Sequence, residues 1–186
     1  ALGGLERVVQ RIAEEQAKLG YEVHVITSFL TLHERPREEI INNVHIHRIK
    51  TIRLHFPDLT IPKKIPYNVL RRADIIQGYS QNNLFTYLVC KKAKKLGKNI
   101  AMYFLGIDYL RYHYNPLIKS LGYFYQKNLT YMVCKVTDIA LTTNERERKL
   151  LMEHYGLNSS VVPHGVDDTY LTCPDRSKEF RIKYNI

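Results

Sequence analysis

The residues best suited to chemistry come first in the chain, where Gly3-Gly4-Leu5-Glu6 runs into an amphipathic stretch ending near Gly20. Two adjacent glycines let the backbone turn sharply and come close to a ligand. The first N–H groups of a helix have no intrahelical acceptor, and they favour an anion. The chemistry this suggests is phosphate binding, and the plain alternative is a tight turn from strand to helix. Three polar stretches further on have a similar character: Gln77-Gly78-Tyr79-Ser80, Leu105-Gly106-Ile107-Asp108 and Asn144-Glu145. Asp108 could orient or deprotonate a substrate hydroxyl, but an aspartate just after a strand is at least as often a helix cap. His45 and His47 share a strand face at a spacing compatible with metal binding. With no third ligand in view, an ordinary exposed face is the better reading. Cys90, Cys134 and Cys173 lie far apart without a Cys-x-x-Cys spacing, so neither a disulfide framework nor a zinc site is indicated.

The elements that must position these residues follow from periodicity. Leu5, Val8, Val9, Ile12, Ala13 and Leu19 recur at three- and four-residue spacing, giving a helix with one packed and one wet face. Tyr21 to Thr27 reads as a buried strand, and Val44 to Ile49 alternates as a half-buried strand nearer an edge. Residues 51–72 carry Pro57, Pro62 and Pro66, which predicts a loop with at most a short helix from Tyr67 to Arg72. Strands are expected at Asp74–Tyr79, Asn99–Phe104, Asp138–Thr143 and Ser160–Val162. Helices are expected from about Asn82 to Leu96, Pro116 to Lys135 and Asn144 to Tyr155. Asn144 with Glu147 forms a capping-box pattern. Strands alternating with helices imply an α/β fold: a Rossmann-like three-layer sandwich around a mostly parallel, doubly wound sheet. Ligands of such sheets bind beyond the carboxyl ends of the strands, which would gather Gly3-Gly4, Gln77 to Ser80, Leu105 to Asp108 and Asn144-Glu145 around one crevice. The Gly-Gly turn should itself follow a central strand, so a short strand preceding Ala1 is expected to belong to the molecule.

Composition narrows the class. A chain of 186 residues, 45% hydrophobic and 25% charged, supports one domain with a real core. No apolar run approaches the roughly 20 residues needed to span a bilayer and no signal peptide is evident, so a cytoplasmic location is expected. The net charge of +10 calls for a reason. Lys91, Lys92, Lys94, Lys95 and Lys98 close one helix, where cations complement the dipole. Arg48, Lys50, Arg53, Lys63, Lys64, Arg71 and Arg72 could meet substrate phosphates, an anionic membrane or nucleic acid. The helix carrying Leu117, Leu121, Tyr123, Phe124, Tyr125, Leu129, Met132 and Val133 could lie peripherally on a membrane face, although a tyrosine-rich helix between two strands reads first as core.

Taken together, these stretches resemble the N-terminal domain of the group-1, retaining glycosyltransferases of the GT-B fold. Gly3-Gly4-Leu5-Glu6 through Leu19-Gly20-Tyr21-Glu22-Val23 is similar to the family's opening pattern. Asp138 to Leu141, Asn144-Glu145 and Val162-Pro163-His164-Gly165-Val166-Asp167 are similar to its closing one. The resemblance implies an acceptor-side domain over residues 1–171, with 172–186 starting a linker to a C-terminal donor-binding domain. It implies transfer of a sugar from a nucleoside-diphosphate sugar to a saccharide or lipid-linked acceptor, with no cofactor and no metal. The expected contacts are Gly3, Gly4, Tyr79, Ser80, Gly106, Asn144 and Glu145 for donor and substrate, with Asp108 as catalytic candidate. His164, Gly165 and Asp167 would form an interdomain turn. Partners would be the two substrates, the chain's own C-terminal domain and a peripheral membrane contact, with no nucleic acid. This half alone is expected to be inactive.

Two departures from the family pattern matter: Tyr79 and Leu105-Gly106 stand where many members have histidines, and leucine has no hydrogen bond to donate. A non-catalytic Rossmann-like module binding nucleotides or polyanions is therefore the rival. An oxidoreductase fits badly, because Gly3-Gly4 lacks the G-x-G-x-x-G spacing.

Overall fold

The computed structural model describes residues 3–29, 36–54, 59–165, 172 and 177–185. Cys173 and Asp167 lie outside these. Helix α1 (Gly4–Lys18) leads into strand β1 (Val23–Ser28). The short 19–22 link turns the chain back, so α1 runs antiparallel to β1 and buries Ala13 on its packed face. Leu19, counted with the apolar stripe, lies outside the helix and is exposed.

Strands β2 (Glu38–Ile41) and β3 (Val44–Ile49) form a hairpin that the alternation of β3 alone did not reveal. Its turn is Asn42-Asn43, both at positive φ (50° and 63°), a conformation asparagine tolerates and two-residue hairpins require. Thus β3 is flanked on both sides, by β1 in parallel and β2 antiparallel, and is not an edge. A second correction concerns residues 51–62. Strands β4 (Thr51–Leu54) and β5 (Leu59–Pro62) pair antiparallel there. Pro62 ends β5, a position where proline removes no interior ladder bond.

Helix α2 (Tyr67–Arg72) precedes the parallel sheet β6 (Ile75–Tyr79), β7 (Asn99–Phe104), β8 (Ile139–Thr142) and β9 (Ser160–Val161), paired in that order. Strand β7 is its centre: Ile100, Met102 and Phe104 are fully buried and Ala101 and Tyr103 nearly so, as a strand covered on both faces must be. The core closes over it with Leu70, Ala93, Leu129, Val133 and Leu151. These come from α2, α3 (Leu84–Lys95), α4 (Tyr123–Val136) and α5 (Glu145–Tyr155). A π-helical turn, Ile118–Gly122, runs directly into α4. Helix α6 (Ser177–Tyr184) is exposed throughout. The whole is the Rossmann-like α/β arrangement expected.

Strands β1 and β6 do not pair with each other: among the described residues β1 has a ladder neighbour on one side only, and so has β6. Direct pairing would have disproved the expectation of a further central strand. The two sheets are nevertheless joined by side chains. Gln16 Nε2 donates to Gln77 Oε1 at 3.3 Å, Arg72 pairs with Glu22 at 3.1 Å, and Ile26 of β1 packs on the main core.

The tyrosine-rich helix is only half core. Gln126, Leu129, Thr130 and Val133 are buried, but Leu117, Leu121 and Phe124 are exposed.

Candidate functional site

Gly3 is the N-cap of α1, and a side chain there would run into the Glu6 carboxylate. Gly4 has no positive φ, and a Cβ added to it would meet nothing within 4 Å. Neither backbone strain nor crowding around its Cβ demands glycine at this position. Gly78 is the opposite case. A Cβ there would lie 2.5 Å from Met102 Cε and 3.1 Å from Cys90 Sγ, so it is a packing glycine rather than part of a site.

The carboxyl ends of β6 and β7 are bound together by polar side chains. Ser80, at φ 66°, donates its backbone N–H to Tyr103 O at 3.0 Å. Buried Gln81 takes both polar groups of Leu105: its Oε1 accepts from Leu105 N at 2.8 Å and its Nε2 donates to Leu105 O at 3.0 Å. Gln126 on α4 donates to Asn82 Oδ1 at 2.7 Å and to Gly106 O at 3.3 Å, and accepts from Leu110 N at 3.1 Å. The 105–110 loop is therefore held by side chains from two helices and a strand end. Tyr79, Tyr103 and His164 stack in a row, with ring centres 5.9 and 5.3 Å apart. Burial pushes the Tyr79 phenol up to about 12. The Tyr103 hydroxyl donates to Val162 O, fixing the segment that carries His164 and Gly165.

Asp108 is the most constrained of these residues. It sits at φ 56° in the left-handed region and is 2% exposed. It occupies the N-cap of a short 3-10 helix, Tyr109–Tyr112, without a capping bond. Instead Oδ2 accepts from His154 Nδ1 at 2.5 Å, and Oδ1 from the Tyr155 hydroxyl at 2.6 Å. Burial first, and then the Asp108 carboxylate, hold the Tyr155 phenol protonated far above its ordinary range. Each Asp108 oxygen thus accepts one hydrogen bond, and the carboxylate fixes the orientation of the His154 ring. That ring's Nδ1–H is committed to the carboxylate, leaving Nε2 as the nitrogen able to accept. His154 lines a cavity of about 310 Å³ with Gly106, Arg111, Tyr112, Arg146 and Glu147.

Helix α5 opens as the capping pattern suggests, with Asn144 Oδ1 accepting from Glu147 N at 2.9 Å. The Glu147 carboxylate does not reach back; it accepts from Ile107 N at 3.0 Å and ties α5 to the loop. Glu145 pairs with Arg148, which holds its carboxyl below the usual range.

Tyr79, Ser80, Gly106, Asp108 and, through Glu147, the start of α5 are therefore brought together. Gly3 and Gly4 make no hydrogen bond to them among the described residues. Among those residues, too, no group of three His, Cys, Asp or Glu side chains could hold a metal ion. His45 stacks on His24 at 4.7 Å, and His47 hydrogen-bonds His24 at 2.9 Å. Sequence reasoning missed Gln81, Asn82 and Gln126, although the polar run after Tyr79 was a signal for the first two. It also missed His154 and Tyr155, which lie 46 and 47 residues from Asp108 with nothing in the chain to link them.

A Rossmann-like α/β domain with a polar, well-braced loop cluster at the carboxyl ends of parallel strands is the kind that binds a ligand there. Its sequence matches Glycosyltransferase Family 4 over residues 2–170, and the chain belongs to that family. No curated protein matches it.

Proposed function

We propose that this is the acceptor-side domain of a GT-B glycosyltransferase that moves a sugar, with retention, from a nucleoside-diphosphate sugar to a saccharide or lipid-linked acceptor. The observation that carries the reading is the family match across nearly the whole described chain. Gly4 stands in the first turn of α1 with no neighbour within 4 Å of the place a Cβ would take, which is compatible with close approach of a donor diphosphate to that helix end; the reading includes no metal. Asn144, Glu145, Tyr79 and Ser80 belong to the same reading as substrate contacts, and His164 and Gly165 as the start of the passage to a second, donor-binding domain. Leu105 has no side-chain donor. The residue able to exchange a proton with an acceptor hydroxyl is then His154, held by Asp108 and lining the adjacent cavity. We further propose a cytoplasmic location for the transfer.

The test is nucleotide release from a panel of nucleoside-diphosphate sugars by the chain joined to its donor-binding domain. One donor should be turned over, and Gly4→Trp should reduce the rate at least tenfold by crowding that helix end. A non-catalytic, polyanion-binding module is the second reading, favoured by the +10 charge. No release with any donor, together with steeply salt-dependent binding to nucleic acid, would establish it instead.

A further inference from the structure

The helix formed by the π turn and α4 has more apolar surface than the fold uses. Its inner face is complete, with Leu129 and Val133 fully buried in the core and Gln126 bracing the 105–110 loop. Its outer face presents Leu117 (66% exposed), Leu121, Phe124 (71%) and Tyr131, recurring at the spacing of one helical side. Tyr109, Tyr112 and Tyr114 lead into it, all exposed. Seven large apolar or aromatic side chains thus lie open along one continuous segment, where a monomeric surface normally scatters them.

The charge of the same segment identifies what covers it. From Tyr109 to Thr137 the chain has no Asp or Glu, while Arg111, Lys119, Lys127 and Lys135 are all exposed. Lys127 sits one turn from both Phe124 and Tyr131, inside the stripe, and the Lys135 ammonium lies 4.4 Å over the Tyr131 ring. Protein interfaces are depleted of lysine at their centres. At a bilayer surface the arrangement is natural, because lysine stems lie along the apolar face and carry their charge up to the lipid phosphates. Tyrosine has the matching habit of sitting at headgroup level. A 14-residue helix about 21 Å long lies in such a surface rather than across it, and no helix among the described residues is long and apolar enough to cross.

We infer that the outer face of α4, with its π turn and the preceding tyrosines, docks on an anionic lipid bilayer. Leu117, Leu121 and Phe124 enter the headgroup boundary, and Lys127 and Lys135 pair with lipid phosphates. The inference does not rest on the transfer reaction, although Tyr112 at the edge of this surface also lines the cavity beside His154.

The test is co-sedimentation of the full chain with phosphatidylcholine vesicles that contain or lack phosphatidylglycerol, at low and high salt. Binding should require the anionic lipid and weaken with salt. Leu121→Ser with Phe124→Ser should lower it about tenfold or more, given the apolar area removed. Ile52→Ser, an equally exposed site on the β4–β5 hairpin, should leave it unchanged. Since the chain has no tryptophan, Phe124→Trp supplies a single probe, whose emission should shift to the blue on adding anionic vesicles. Equal binding to both vesicle types, no loss in the double variant, or an unshifted indole emission from the Phe124→Trp variant would overturn the proposal. Self-association abolished by the double variant, without vesicle binding, would replace it with a second copy as the occupant.

Discussion

Asp108 shows how one residue can carry several roles that its type alone does not reveal. A buried carboxylate is costly unless every oxygen is satisfied, and here His154 and Tyr155 satisfy both. Replacing it with Asn keeps the shape but turns one acceptor into a donor facing another donor. Asp108→Asn should cost about 1–3 kcal/mol by urea unfolding, more than a surface change would. The sequence located Asp108 at a strand exit and framed its choice as catalysis or cap. The structure adds a third role, as the orienter of a histidine. That part was illegible because the partners are set by how α5 lies over the loop, a tertiary fact. Gly78 taught the reverse lesson. Its polar neighbours suggested a site, yet its lack of a Cβ serves contact with Met102 and Cys90.

Among the elements, those with strong periodicity or clear caps were legible. Strand β7, α2, the capping of α5 by Asn144 and the αL stop at Gly156 all fall where the residues predict. The hairpins were not, because prolines around residues 57–66 argued against strands. The Asn42-Asn43 turn signal needed a partner strand, Glu38–Ile41, too short and acidic to announce itself. The joint between α3, β7 and β8 gives a pH-dependent test. Asp138 accepts from the Lys94 ammonium and, at 2.8 Å, from Ile100 N, and these bonds lower its carboxyl below the ordinary value. A carboxyl whose pKa is lowered by folding adds stability above its unfolded pKa and loses it as pH falls through the folded one. Asp138 is a third exposed, so solvent screens the pair and the expected contribution is about 1 kcal/mol. Thermal melts of Asp138→Asn should therefore lie below those of the parent at neutral pH. The two should converge as pH drops through the acidic carboxylate range.

At the scale of the molecule, the two parallel-stranded sheets meet through side chains, not through a ladder. The central β7 is bonded on both sides and buried, whereas among the described residues β1 and β6 each leave one side unpaired. Hydrogen exchange should rank accordingly, with β7 amides the slowest and the outward-facing amides of β1 and β6 faster by at least tenfold. A strand placed between them would erase that difference, so the same measurement on a chain extended ahead of Ala1 tests the expected central strand. Overall architecture was legible because alternating periodicities admit few topologies. The division into three sheets was not, since pairing is a property of neighbours in space. One further consequence follows from the Tyr79–Tyr103–His164 row. The chain has 14 tyrosines and no tryptophan, so its near-ultraviolet optical activity comes from phenol rings. Rings held in one orientation, such as Tyr79 and Tyr103, contribute to such a signal while freely rotating ones average out. The carboxyl edge of the sheet thus carries part of the molecule's own chromophore, and a ligand settling there should alter the circular dichroism without any label.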